Sequence, residues 1–380
     1  MDFSIPEDLK AVKNLARDLA RNVLIPLEPE VNRLGKAPDS AMDKLKELGF
    51  FGVVIPEQYG GMGLGVLALT LITEELAHAH HAYLHEMALA NGIGSHSLLL
   101  DGSEEQRRRY LPDIASGRKI AAFALTEPNA GSDPSSAETY AVKQGNEWVI
   151  NGNKHFITNG ADADIVTVIA VTDKEKRSRG GFTAFIVEKG TPGLGVAQIQ
   201  ESMGRPPHCQ AEIYFQDCRV PEANIVGTLG NGFSVAMRTL DMGRVNVAAK
   251  ALGIADRLLQ MSIDYAKQRV QFKQPIASFQ AIQWMIADMV TELHAARWIT
   301  YNAAWRLDQG EKIPQESAIV KLFATEMVGR VADRAVQIHG GMGVMQELAV
   351  EGFYRDVRVM RIYEGTSEIQ RLVIARDELK

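Results

Sequence analysis

Between Asp8 and Asn22 the apolar residues Leu9, Val12, Leu15, Ala16 and Leu19 return at the spacing of one helix face. Ser103-Glu104-Glu105-Gln106 has the form of a capping box and predicts a helix opening there, before Pro112. Residues 1–117 are therefore expected to be an all-α unit. From 118 to 230 the period changes. Ile165 to Val171, Phe182 to Val187 and Ala211 to Phe215 read as strands, and Glu147 to Thr158 reads as two strands around an Asn151-Gly152 turn. An antiparallel β-unit is expected. Beyond Asn231, stretches rich in Ala, Met and Leu break near Pro275, Gly310 and Gly340, which predicts about four long helices and a short terminal one over 231–380. The fold class read from this pattern is α+β: helical, then β, then a helical bundle.

Composition sharpens the division without moving it. Six of the 14 prolines lie at positions 128, 134, 192, 206, 207 and 221, and only Pro275 and Pro314 follow. With 380 residues, 46% hydrophobic and 23% charged, the chain has the make-up of a soluble globular protein with room for a buried site. A formal charge of −6 leaves no cationic excess for nonspecific nucleic-acid or membrane binding, so neither partner is expected. Met1 to Pro6 carries acid where a targeting peptide needs base, and two cysteines, Cys209 and Cys218, are too few for a disulfide framework. Both features point to the cytoplasm.

Several apparent motifs fail in context. His78, His81 and His85 would share a helix face, but Glu75-Leu76-Ala77-His78 is the sole Glu-x-x-His pattern and no second pair completes a metal site. Gly63-Leu64-Gly65-Val66-Leu67-Ala68 resembles a dinucleotide turn but lacks the following acid-bearing strand, and reads as a glycine-rich helix entry. Neither a nucleophile elbow nor a phosphate-binding P-loop occurs.

Three stretches carry more. Phe123 to Asp133 runs from a strand into a turn of Thr, Asn, Gly, Ser and Asp whose hydroxyls and amides suit a polar ring edge, although ordinary turn chemistry looks the same. Gln337-Ile338-His339-Gly340-Gly341 ends a helix in glycines that admit a close approach, or simply stop the helix. In Tyr363-Glu364-Gly365-Thr366-Ser367-Glu368, Thr366 or Ser367 can cap a helix while Glu364 stays on the connection, facing a cavity or solvent.

At these residues the chain resembles the acyl-CoA dehydrogenases, which form 2-enoyl-CoA from acyl-CoA. The resemblance spans essentially the whole length and implies a helical N-terminal domain, a β middle domain and a C-terminal four-helix bundle. It further implies FAD between the β-domain and the bundle, a homotetramer, and an electron-transferring flavoprotein as acceptor. It assigns Phe123, Leu125, Thr126, Gly131 and Ser132 to the flavin, with Ser132 shared with substrate. Phe156-Ile157-Thr158 matches a Trp-Ile-Thr segment that covers one flavin face and brings a hydroxyl near N5. Arg269, Phe272 and Gln280 match the segment whose arginine meets the FAD pyrophosphate, with Lys273 where glycine is usual. Gln337, Ile338, His339, Gly340 and Gly341 match an adenine-side contact that relatives supply, with the arginine, from a neighbouring subunit. Thr366, Ser367 and Glu368 match a cofactor segment. Asp241, Met242, Gly243, Arg244 and Gly365 match substrate contacts.

The resemblance makes Glu364 the base. An α C–H beside a thioester is a weak acid, so its removal needs a carboxylate whose pKa a dry pocket has raised towards about 6 to 7. Some relatives carry the base at the position of Gly243, which here has no side chain. Leu84 stands where glutaryl-CoA enzymes have an arginine, and Glu74 to Gln106 contains no Lys or Arg, so a dicarboxylyl substrate is disfavoured and a short, medium or branched acyl-CoA expected. The loop from Gly204 to Gln210 departs from the family pattern. Two rivals stand beside this reading: a same-fold oxidase passing electrons to oxygen, and an FAD-binding protein without dehydrogenase activity.

Overall fold

The computed structural model describes residues 4–379; Met1, Asp2 and Phe3 of the N-terminal acidic stretch lie outside them. The N-terminal helices are α1 (Glu7–Leu19), α2 (Glu28–Leu34), α3 (Asp39–Glu47), α4 (Gly65–Leu76), α5 (His85–Ala90), α6 (Ile93–Asp101) and α7 (Glu104–Ala115). The expected capping box opens α7: Gln106 N donates to Ser103 Oγ at 3.1 Å, and Ser103 N to Gln106 Oε1 at 3.0 Å. The helix runs through Pro112 to Ala115. At α4 the glycine entry is a true helix start whose N–H groups are already met, since Val66 N and Leu67 N donate to the Asp308 carboxylate at 2.6 and 2.9 Å. Two of the helix-start amides are thereby already paired with a carboxylate.

The middle strands are β1 (Ala121–Ala124), β2 (Tyr140–Gln144), β3 (Glu147–Thr158), β4 (Ile165–Val171), β5 (Phe182–Glu188), β6 (Leu194–Gln200), β7 (Gln210–Pro221) and β8 (Ile225–Val226), in the order β6-β7-β3-β2-β4-β5-β8. The expected antiparallel unit is a mixed sheet, because β1 pairs parallel with β4. Alternation along β4 sends Ile165, Ile169 and Val171 towards the helices and Val166, Val168 and Ala170 into a second core between the strands. Both faces are therefore buried.

Asn151-Gly152 is not a turn. Glu147 to Thr158 is one long strand, and its pairing with β7 slips between Ile150 and Gly152. Gly152 has φ 144° and packs on Thr139, so the glycine serves a bulge rather than a chain reversal. The reversal comes earlier, at Gly145-Asn146 between the paired Gln144 and Glu147.

The C-terminal part holds α8 (Gly232–Gln268), the short ribbon β9 (Val270–Gln271) and β10 (Gln274–Pro275), then α9 (Gln280–Asp308), α10 (Pro314–His339), α11 (Ala349–Val357) and α12 (Ser367–Glu378). Three helices are long and two short, against the four and one expected, because the segment after Gly340 breaks again at Arg358 to Thr366. α8 and α10 are the central pair, and α12 packs on α10. No helix among the described residues is long and apolar enough to cross a membrane.

Candidate active site

The break between α11 and α12 carries Glu364. Its backbone lies in the left-handed region at φ 54°, a conformation that a non-glycine residue holds only when its surroundings impose it; Gly365 follows at φ 95°. The surroundings are three donors aimed at the two carbonyls. Arg244 Nε reaches Glu364 O at 3.5 Å, Gln370 Nε2 donates to Glu364 O and Gly365 O at 3.0 Å each, and Lys321 Nζ donates to Gly365 O at 2.8 Å. Thr366 caps α12 by accepting from Ile369 N at 3.3 Å, and Ser367 Oγ donates to Glu326 at 2.6 Å. The Thr366 hydroxyl therefore serves the helix start and that of Ser367 ties it to α10; Glu368 is exposed.

The Glu364 side chain turns inward against α8. A Cβ at Gly243 would collide with Glu364 Oε2 and crowd Ile93, so glycine there makes the space for the carboxylate. Oε2 is sealed from solvent and accepts no hydrogen bond. Burial pushes the carboxyl pKa up to about 7, opposed by the nearby charges of Arg244 and Lys321. Arg244 is itself paired with Asp241 at 2.8 Å. Among the described residues the Glu364 N–H has no hydrogen-bond partner. Met242 points into the core.

A second group of residues forms a rim on the β-sheet. His155 N donates to Thr126 O at 2.8 Å, joining the segment after β1 to β3. β3 slips register against β7 again between Lys154 and Ile157. That bulge puts Phe156 at φ 56° with the residue 61% exposed, while Gln200 Oε1 accepts from its N–H at 3.1 Å. Thr126 and Thr158 are partly exposed beside it, and Gly131 faces open space. Phe123 and Ile157 send their side chains into the two cores and leave only backbone at the rim; Leu125 is partly buried and Ser132 exposed. An exposed aromatic face, two hydroxyls and an open glycine suit a flat polar ring.

A third group lies roughly 40 Å away along α8. His339 stacks on Tyr265 with ring centroids 4.5 Å apart, which sets the end of α10 beside the end of α8 and so beside Arg269. Arg269 makes no side-chain hydrogen bond or ion pair among the described residues, and Gly340 and Gly341 face open space. Gln280 and Gln337 are exposed, whereas Ile338 is core. Phe272 and Lys273 both have positive φ, 52° and 66°, between paired Gln271 and Gln274. The ribbon thus has the geometry of a type I′ turn, and Lys273 adopts a left-handed backbone that favours glycine. Within one chain these residues and Glu364 cannot touch one ligand portion.

The expected shared helix face of the histidines does not form, because α4 ends at Leu76. His78 turns to Asp256 at 3.2 Å, whereas His81 Nδ1 and His85 Nε2 face each other at 3.0 Å. No group able to hold a metal occurs among the described residues. The residues that sequence reading missed are Lys321, Gln370 and the buried pair Lys154–Glu127 at 2.7 Å. Glu127 was in view only as part of a turn. Its carboxylate also accepts from Glu138 N and Thr139 N at 2.6 and 3.0 Å, which pins the rim.

A partly buried glutamate with one sealed, unbonded carboxylate oxygen, and a separate rim whose exposed aromatic suits a flat ring, are compatible with a flavin-dependent oxidoreductase. The family models for the N-terminal, middle and C-terminal domains of acyl-CoA dehydrogenases match residues 6–118, 122–218 and 230–379. The chain belongs to the acyl-CoA dehydrogenase family, FAD-dependent oxidoreductases acting on CH–CH groups, and its cofactor is FAD. It is 43% identical to the probable acyl-CoA dehydrogenase YngJ of Bacillus subtilis, over all of both chains. It is 41% identical to subunit CarC of the caffeyl-CoA reductase-Etf complex of Acetobacterium woodii, over 98% of this chain and 99% of the other. The butyryl-CoA dehydrogenase structure from Megasphaera elsdenii superposes with a TM-score of 0.96 at 39% identity, covering all of both chains.

Proposed function

We propose that this protein dehydrogenates a short-, medium- or branched-chain acyl-CoA to the 2-enoyl-CoA in the cytoplasm, as a homotetramer that passes its electrons to an electron-transferring flavoprotein. The observation that carries the reading is the Glu364 carboxyl: partly buried, its Oε2 sealed and without a hydrogen-bond partner, pushed up to a pKa of about 7, against a glycine that leaves it room. As the carboxylate it takes the α-proton. The unbonded Glu364 N–H can donate to the thioester carbonyl as negative charge builds there. Arg244, Gln370 and Lys321 keep that N–H and the carboxylate in fixed relation by holding the two carbonyls between them. FAD, when bound, supplies the acceptor for the β-hydride.

In this proposal Phe156 covers one flavin face, Thr126 and Thr158 meet its polar edge, and Gly131 and Ser132 line the approach. Arg269 and Gln337 to Gly341 take the pyrophosphate and adenine of a neighbouring subunit's cofactor. Their separation from Glu364 along α8 supports that reading, as does the unpaired Arg269 guanidinium. A carboxyl near pKa 7 is available in both forms at neutral pH, so the site can also return the proton in the reductive direction.

Anaerobic titration with an acyl-CoA panel tests the reading. The wild type should bleach. Glu364→Gln should keep its FAD but bleach at least about 100-fold more slowly. Wild-type bleaching rates in that variant would remove Glu364 as the base. Admitting either electron-transferring flavoprotein or air to the reduced protein then separates a dehydrogenase from an oxidase, and a protein that never bleaches is neither.

A further inference from the structure

The chain on either side of Glu364 is tied to a single carboxylate. Arg361 closes the short helical turn Arg358–Arg361 and Ser367 opens α12, so one stands three residues before the base and the other three after it. Both bind Glu326 on α10: Arg361 Nη1 donates to its Oε2 at 3.3 Å, and Ser367 Oγ donates to its Oε1 at 2.6 Å. Ile362 to Thr366 is thus a loop that leaves one side chain and returns to it. Within the loop, Lys321 of the same helix holds Gly365 O at 2.8 Å.

The helix is shaped for this clasp. Gly329 follows Glu326 by one turn, and a Cβ there would come within 2.9 Å of Arg361 Nη2 and 3.1 Å of its Cζ. Glycine inside a helix is unfavourable on propensity alone, and here it lets the guanidinium lie against α10 within reach of Glu326. Arg361 makes no other hydrogen bond among the described residues, and its Nε is sealed without a partner. Little stability is at stake. The Glu326 and Arg361 side chains are 25% and 32% exposed, and partly solvated ion pairs hold a fold together only weakly. What the clasp does constrain is the separation of the two feet of the loop, whose centre, Glu364 and Gly365, is left-handed and would relax if the feet spread.

We propose that Glu326 is a positioning residue for the reaction, acting through Arg361 and Ser367 to keep the Glu364 carboxylate in its place against Gly243. The inference rests on Glu364 being the base. A reacting group displaced by about 1 Å loses on the order of 100-fold in rate, so a clasp that contributes little to folding is strong enough to govern proton transfer.

The test is anaerobic bleaching of the FAD-loaded protein by hexanoyl-CoA over a range of concentrations. Glu326→Ala should lower the limiting rate at least about tenfold and leave the half-saturating concentration within about twofold. Arg361→Met should lower the limiting rate less, and Arg361→Lys should recover most of that loss. Ser367→Ala, which removes a tie without removing a charge, should slow the wild type and cost nothing further when Glu326 is already alanine. Gly329→Ala crowds Arg361 while favouring the helix, so it should be at least as stable to guanidinium as the wild type and still bleach about threefold more slowly. An unchanged limiting rate in Glu326→Ala, or a Ser367→Ala penalty that persists in full beside it, would overturn the proposal. Hydrogen exchange of residues 362–370 in Glu364→Gln protein keeps this failure apart from a wrong choice of base. Adding Glu326→Ala should speed that exchange whichever residue takes the proton, and unchanged exchange would remove the clasp itself.

Discussion

Two glutamates of this protein are drawn from water beside cations, and they meet opposite fates. Burial pushes the Glu127 carboxyl up, but the Lys154 ammonium and the N–H groups of Glu138 and Thr139 outweigh it, and its pKa falls below the ordinary range. For Glu364 burial wins, and the carboxyl rises to about 7 although Arg244 and Lys321 are close. The difference lies in where the donors point. Lys154 Nζ donates to the Glu127 carboxylate at 2.7 Å, whereas Lys321, Gln370 and Arg244 aim at the main-chain carbonyls of Glu364 and Gly365. One arrangement fixes a loop. The other fixes a backbone and leaves the carboxylate free to take a proton.

The largest effect that tests this contrast is on stability. Lys154 has no solvent-exposed surface and Glu127 is 7% exposed, so Lys154→Met strands an ionised carboxylate in a dry site. The expected cost at pH 7 is about 3–5 kcal/mol, read from guanidinium unfolding of the FAD-loaded protein, and it should shrink in acid as Glu127 becomes able to protonate. A loss below about 1 kcal/mol would mean that Glu127 is held by its two backbone donors alone.

Glu364 should show the reverse dependence on pH. Its folded-state pKa lies above the ordinary 4.5, so protonation favours the folded protein. That contribution is complete below pH 4.5 and is lost as pH rises to about 7, a change of up to about 3 kcal/mol. Glutamine cannot ionise. Glu364→Gln should therefore match the wild type near pH 4.5 and become more stable than it by pH 8, by up to about 3 kcal/mol. A stability difference that does not grow over this interval would show that the base is not desolvated in the resting protein.

Much of this was legible in the chain, and the rest was hidden for physical reasons. Ile165 to Val171 and the Ser103 capping box are local patterns, and the structure keeps both. Asn151-Gly152 was misread because a turn and a bulge ask for the same thing, a residue that tolerates positive φ; only the partner strand decides between them. The histidines looked like one helix face until the break after Leu76 turned His78 away from His81 and His85. The flanking glycine and cap placed Glu364 on a connection, and only the family resemblance named it as the base. Lys321 did not, because its partner is a main-chain carbonyl 44 residues away, and a carbonyl has no letter in the sequence.

The smallest effect is also the most specific. Lys321 touches the carbonyl of Gly365 and not the Glu364 carboxylate, yet its charge lowers the pKa of that carboxylate. Bleaching needs the ionised base, so its rate should rise with pH through a midpoint near 7. In Lys321→Met, which keeps the volume of a side chain that is fully buried, the midpoint should move upward by roughly half a unit to one unit. Burial brings the Lys321 ammonium itself down to about 8, so above that pH the wild type sheds the same charge and the two profiles should converge. A lysine that merely supported the fold would scale the rate at every pH and leave the midpoint in place; that result would reduce Lys321 to a strut.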